Sequence, residues 1–110
     1  MDLDDTLVVD GKVNVGLVGF LYQCVNRDER LVLLTKHNGD VNETLRKHRL
    51  AGLFDQVVHI GPRERKADHI REREAILIDD SFSERANVQR QLCISTFDCS
   101  MVEMLIDARD

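Results

Sequence analysis

Four carboxylates in this sequence are placed to do chemistry. Asp2 and Asp4 open the chain, and Asp79 and Asp80 follow an apolar run far downstream. Gathering them in one crevice costs free energy through like-charge repulsion. A hard cation removes that cost, and Mg2+ favours one or two carboxylates together with waters and a phosphate oxygen. Thr35, which ends an earlier apolar run, adds a hydroxyl, and Lys66 adds an ammonium. The set comprises a nucleophilic carboxylate, a proton-transfer carboxylate, a hydroxyl, a lysine and a cation site. Phosphoryl transfer needs this inventory, because it rests on positioning and charge neutralisation around an in-line nucleophile.

The elements that must position these groups are legible as alternating patterns. Apolar runs of strand length occupy residues 31–35, 57–61 and 75–79, with a weaker one at 93–97. They lack polar alternation, as strands buried on both faces of a parallel sheet do. Helical spacing between them predicts helices over Val15 to Asn26 and over 42–51, 68–74 and 83–92. Alternation of this kind predicts an α/β fold, three layers (α/β/α) around an open, mainly parallel Rossmann-like sheet. Ligands of such sheets gather at the carboxyl ends of the strands, where Thr35, Gly61, Asp79, Asp80 and Asp98 fall. Val8 to Val13 reads as a hairpin turning on Asp10-Gly11. Phe54, Val57, Val58 and Ile60 are read as core.

Composition bounds the remaining possibilities. A chain of 110 residues allows a single domain, 1–110. Fifteen basic against 20 acidic residues give a net charge of −5, which argues against nucleic acid or an anionic membrane as partner. No apolar stretch approaches the ~18 residues of a spanning helix. The acidic N-terminus does not read as a secretory leader. Cys24, Cys93 and Cys99 have no metal spacing and read as reduced thiols, so the expected location is cytoplasmic. The four histidines show no ligand spacing either, although His37 lies in the 35–39 loop beside the expected site.

With those residues in view, the sequence resembles the haloacid dehalogenase (HAD) superfamily of aspartate-nucleophile phosphohydrolases. The first motif of that family, D-x-D-x-T, is matched by Asp2-Leu3-Asp4-Asp5-Thr6. The second is matched by the run ending at Thr35, the third by Lys66, and the fourth by the run ending in Asp79-Asp80. The resemblance implies a Mg2+-dependent phosphohydrolase acting on a phosphomonoester, either a small molecule or an exposed phosphate on a larger one. Asp2 would attack phosphorus and form an aspartyl-phosphate, and Asp4 would serve as the acid and then the base. Thr35 and Lys66 would bind phosphoryl oxygens. Asp2, Asp79, Asp80 and the backbone carbonyl of Asp4 would serve the metal.

The spacing leaves no room for a cap domain, so the expectation is a capless member. Members of the family carry an apolar strand directly before the first Asp, whereas only Met1 precedes Asp2 here. Truncation at the N-terminus is the expected reading; a strand supplied by another chain and a rearranged sheet are the alternatives. A binding module without turnover, part of a larger biosynthetic protein, is the competing function. An exposed sheet edge would invite a homo-oligomer or a partner domain. A receiver domain uses similar residues, but its paired acids, lone Asp, Thr and Lys come in a different order.

Overall fold

The computed structural model describes residues 1–106; residues 107–110, which end the expected 1–110 domain, lie outside the described residues. The chain opens with a hairpin, β1 (Val8–Val9) and β2 (Lys12–Val13), paired antiparallel. Its turn residues Asp10 and Gly11 have φ of 51° and 75°. Positive φ at both central positions is what a type I′ turn requires, and Asp-Gly supplies it at low steric cost.

Helix α1 (Val15–Asn26) follows, with Asn14 as its cap: the Asn14 side chain accepts from Leu17 N at 3.2 Å. Asn14 Nδ2 also donates to the Thr6 carbonyl at 3.2 Å, which ties the start of this helix to the loop of the first motif. Then come β3 (Val32–Thr35), α2 (Val41–Lys47), β4 (Gln56–His59), a 3-10 turn (Lys66–His69), β5 (Ile76–Ile78), α3 (Phe82–Leu92), β6 (Ser95–Phe97) and a second 3-10 turn (Cys99–Met104).

Strands β3 and β4 pair in parallel, as do β5 and β6. The protein is thus a small α/β chain with short parallel and antiparallel sheets, and its radius of gyration of 13.2 Å is that of one compact domain of this length. Among the described residues the named strands form three two-stranded sheets. The backbone of residues 1–2 bridges the two parallel pairs. Met1 N donates to Val32 O at 3.1 Å, Leu34 N donates to Met1 O at 2.8 Å, and Asp2 N donates to Ile78 O at 3.0 Å. Burial, reinforced by the nearby Lys66 charge, pushes the Met1 amine down to about 6.

Successive residues of β5 serve opposite faces. Leu77 packs in a cluster with Ala67, Val88 and Ile94, whereas Ile78 joins Leu3, Leu7, Leu17, Leu33 and Leu45. Burial on both faces is the physical reason that this run carries no polar alternation. The 57–61 run is different. β4 is exposed at Gln56, Val57 and His59 and half-buried at Val58, and Val57 at 38% exposed corrects the expectation that it belongs to the core. An apolar run on an edge strand is indistinguishable in sequence from one in the interior. The expected 68–74 helix is also corrected: the helical turn lies at Lys66–His69, and the remainder is irregular. The 42–51 helix stops at Lys47, followed by Arg49 in the left-handed region at φ 61°. Among the described residues, no helix is long and apolar enough to cross a membrane.

Candidate metal and phosphate site

The site is assembled where the Met1–Asp2 seam meets the end of β5. Its centre is Lys66, whose side chain is buried and whose Nζ lies 2.8 Å from Asp2 Oδ1 and 2.5 Å from Asp79 Oδ2. The 3-10 turn beginning at Lys66 sets this position, and Ala67 anchors the turn in the smaller core cluster. Asp79 is held at the other end of the bond. Ser81 N donates to Asp79 Oδ1 at 2.9 Å, and Arg85 donates to the Asp79 carbonyl at 2.7 Å. Ser81 is also the cap of α3, accepting from Glu84 N at 3.3 Å, so this helix starts directly behind the carboxylate.

Thr6 closes the other side. Its Oγ1 lies 3.0 Å from Asp2 Oδ2 and 3.2 Å from Asp80 Oδ1, and it accepts from Asp80 N at 3.0 Å. The left-handed backbone of Asp5 (φ 61°) turns the chain so that Thr6 faces back toward Asp2. Asp2, Asp79 and Asp80 each bring one carboxylate oxygen within 4.8 Å of the others. Asp2 and Asp79 are buried, and Asp80 is exposed.

The electrostatics follow from this packing. Burial raises the Asp2 carboxyl above its usual value, against the opposing charge and hydrogen bond of Lys66. Asp79 is raised for the same first reason and by the charge of Asp2, again opposed by Lys66. Burial draws the Lys66 ammonium down, but Asp2 and Asp79 outweigh it, and the net shift is upward. One lysine against three carboxylates leaves the cluster with surplus negative charge. All the donors are hard oxygens, with no sulfur or imidazole among them, so the set is of the kind that holds a hard divalent cation.

The remaining predicted residues are distributed differently. Thr35 ends β3 fully buried, and its Oγ1 accepts from His37 N at 3.0 Å. Asp4 lies apart from the acidic triad, and its side chain is about half exposed. Its carboxylate accepts from His37 Nδ1 at 2.8 Å, and His37 Nε2 is 2.9 Å from Thr44 Oγ1. When Asp4 is ionised its carboxylate can only accept, and the contact then takes its proton from His37 Nδ1. The structure therefore brings Asp2, Lys66, Asp79 and Asp80 together, and it ties Asp4 and Thr35 to the 35–39 loop through His37. Thr6 is the residue whose role was missed; its place as the last residue of D-x-D-x-T was the available signal. His59 braces the same loop, donating to the His37 carbonyl at 2.6 Å.

Comparison with known proteins finds no matching family model, no matching curated relative and no matching solved structure.

Proposed function

We propose that this protein is a Mg2+-dependent phosphohydrolase of HAD type, acting on a phosphomonoester through an aspartyl-phosphate. The observation that carries the reading is the Asp2–Lys66–Asp79 bridge with Asp80 and Thr6 at its rim. A buried lysine between two carboxylates neutralises charge where an anionic phosphate must approach.

In the proposed reaction, an Asp2 oxygen attacks phosphorus and the ester P–O bond breaks. Asp4, entering this step protonated, gives its proton to the departing oxygen. Asp4 then takes a proton from water, the water oxygen attacks phosphorus, and the bond to Asp2 breaks to release inorganic phosphate. Lys66 offsets the negative charge of Asp2 and the transferring oxygens. Thr35, whose Oγ1 accepts from His37 N, retains its own proton to donate. Asp2, Asp79 and Asp80 would hold the cation, which when bound would supply charge neutralisation for the phosphoryl oxygens. His37 holds the Asp4 carboxylate and so sets where that proton-transfer group stands.

The test is hydrolysis of an aryl phosphate with and without Mg2+, by the chain and by its Asp2→Asn variant. Mg2+-dependent turnover that Asp2→Asn abolishes supports the reading. The engagement of Asp4 by His37 also favours a second reading, a binding module without turnover. Under that reading, Mg2+-dependent retention of inorganic phosphate would persist with no hydrolysis.

A further inference from the structure

Helix α1 (Val15–Asn26) holds no Asp, Glu, Lys or Arg, in a chain where such residues make up 32%. Its inward face carries Leu17, Phe20, Leu21 and Cys24, all buried in the main core. The outward face of a helix that borders water is ordinarily polar or charged. Here it carries Val15, Val18, Tyr22 and Val25, spaced by three, four and three residues. Val15 is 77% exposed, Tyr22 56% and Val25 41%, and Val18 is half-buried. That spacing is the apolar seam of a helix that packs against another helix. The exposures leave the seam uncovered.

Two properties of the seam specify what covers it. The first is symmetry. A two-fold axis at the level of Phe20 sets Val15 opposite Val25, and Val18 opposite Tyr22, of a second antiparallel copy. Each layer of the pair is then apolar on both sides, so the surface is its own complement, as a two-fold contact demands. The second is charge. Lys12 precedes the seam and Asp28 follows it, both exposed and each eight positions from Phe20. An antiparallel pair sets the basic end of one copy over the acidic end of the other, whereas a parallel pair would set like against like.

Gly19 lies on the same face next to the axis, and the space where its Cβ would stand is open. With no side chain there, two helix backbones can cross at about 8 Å. Beside the seam, a cleft of about 670 Å3 lies between α1 and the 49–55 segment, with Leu53 on its far wall. The cleft adds surface to the contact beyond the helix itself.

We propose that α1 is the interface of a homodimer, in which the Val15–Val25 seams of two copies pack antiparallel across a two-fold axis beside Gly19. Helices of 12 residues are short against a standard interface of ~800 Å2 per partner, so the association is reversible and of micromolar order. This inference is independent of the phosphoryl chemistry.

The test is sedimentation equilibrium of the full chain from about 10 µM to about 1 mM, a span that brackets such an affinity. The weight-average mass should rise with concentration toward twice the monomer value. Gly19→Arg puts bulk and charge at an open helical position, which the monomer accommodates, and should weaken association by about a hundredfold. Its unfolding midpoint in dilute solution should be no lower than the parent's, since Arg favours a helix over Gly. Lys12→Glu and Asp28→Lys should each weaken association about tenfold. An equimolar mixture of these two variants should regain it, because both pairs between the copies are then opposite in sign. Asp28→Asn, which suits the φ of 58° at this position, controls for backbone strain.

A chain that stays monomeric throughout overturns the proposal and leaves the seam to a different polypeptide. Dimerisation that Gly19→Arg does not weaken places the contact on another surface and overturns it as well. Association that Gly19→Arg weakens but the mixture does not regain overturns the antiparallel pairing.

Discussion

The ammonium of Lys66 lies 2.5 Å from Asp79 Oδ2 and, on its other side, 2.8 Å from Asp2 Oδ1, with all three side chains buried. Two buried carboxylates so close to each other are tolerable only with positive charge between them, and within the chain Lys66 supplies it. Replacing Lys66 by Met keeps the bulk and removes the charge. We expect a loss of about 3–5 kcal/mol at neutral pH, because the carboxylates are left uncompensated. Mg2+ should restore more stability to this variant than it adds to the parent chain. Urea unfolding with and without Mg2+ checks both statements, and an identical Mg2+ response in the two proteins would count against a cation at this cluster.

Thr6 joins the Asp2 carboxylate to that of Asp80, 74 residues further along the chain from Thr6, through one oxygen. Thr6→Val should cost about 1–3 kcal/mol, since it strips partners from Asp2, Asp80 and the Asp80 amide at nearly constant volume. Thr6→Ser keeps the oxygen and should restore most of that loss. Thermal unfolding of the pair separates the hydrogen bonds from the packing.

Glu84 gives a pH signature away from the triad. Burial pushes its carboxyl upward, but Lys36 Nζ at 2.6 Å and the Lys66 N–H at 3.2 Å outweigh this and hold it below its usual value. A depressed folded-state pKa means the contribution is fully present above the ordinary carboxylate range and is lost as pH falls through the folded value. Glu84→Gln should therefore cost about 1 kcal/mol at pH 7, allowing for partial exposure, and progressively less under acid. A cost that stays constant from neutral pH into acid would contradict the pairing.

Cys24 and Cys93 should differ sharply toward alkylating agents. Burial in the main core, with the nearby Glu29 carboxylate adding to it, pushes the Cys24 thiol up to about 11. At pH 8 only about one Cys24 in a thousand is then thiolate, the reactive form. Cys93 is exposed at the end of α3. Mass spectrometry after brief iodoacetamide treatment should find Cys93 modified and Cys24 intact until the chain is unfolded.

The hairpin turn offers a local check. Gly11 has open space where a Cβ would stand, but its φ of +75° strains any other residue. Gly11→Ala should cost about 1 kcal/mol from backbone conformation alone, readable as a lower unfolding midpoint.

Much of this molecule is local and was therefore visible in the amino-acid string. Helix α1 carries Leu17, Phe20, Leu21 and Cys24 at helical spacing behind an Asn cap, and it forms over the predicted residues. Asp10-Gly11 dictates the hairpin by φ preference. The β5 run reads as buried because both of its faces are. Proximity of Asp2 to Asp79 and Asp80, with Lys66 beside them, was also anticipated. What required the fold was every choice among long-range partners. Whether an apolar run lies in the interior or, like β4, at an edge depends on which neighbours arrive. Whether a carboxylate joins the cation cluster or turns to an imidazole is decided by where distant loops end. Asp4 goes to His37 and Thr6 to Asp80 across 33 and 74 residues, distances over which sequence spacing carries no geometric information. The seam by which Met1 and Asp2 join β3 to β5 belongs to the same class, since backbone hydrogen bonds leave no trace in residue identity.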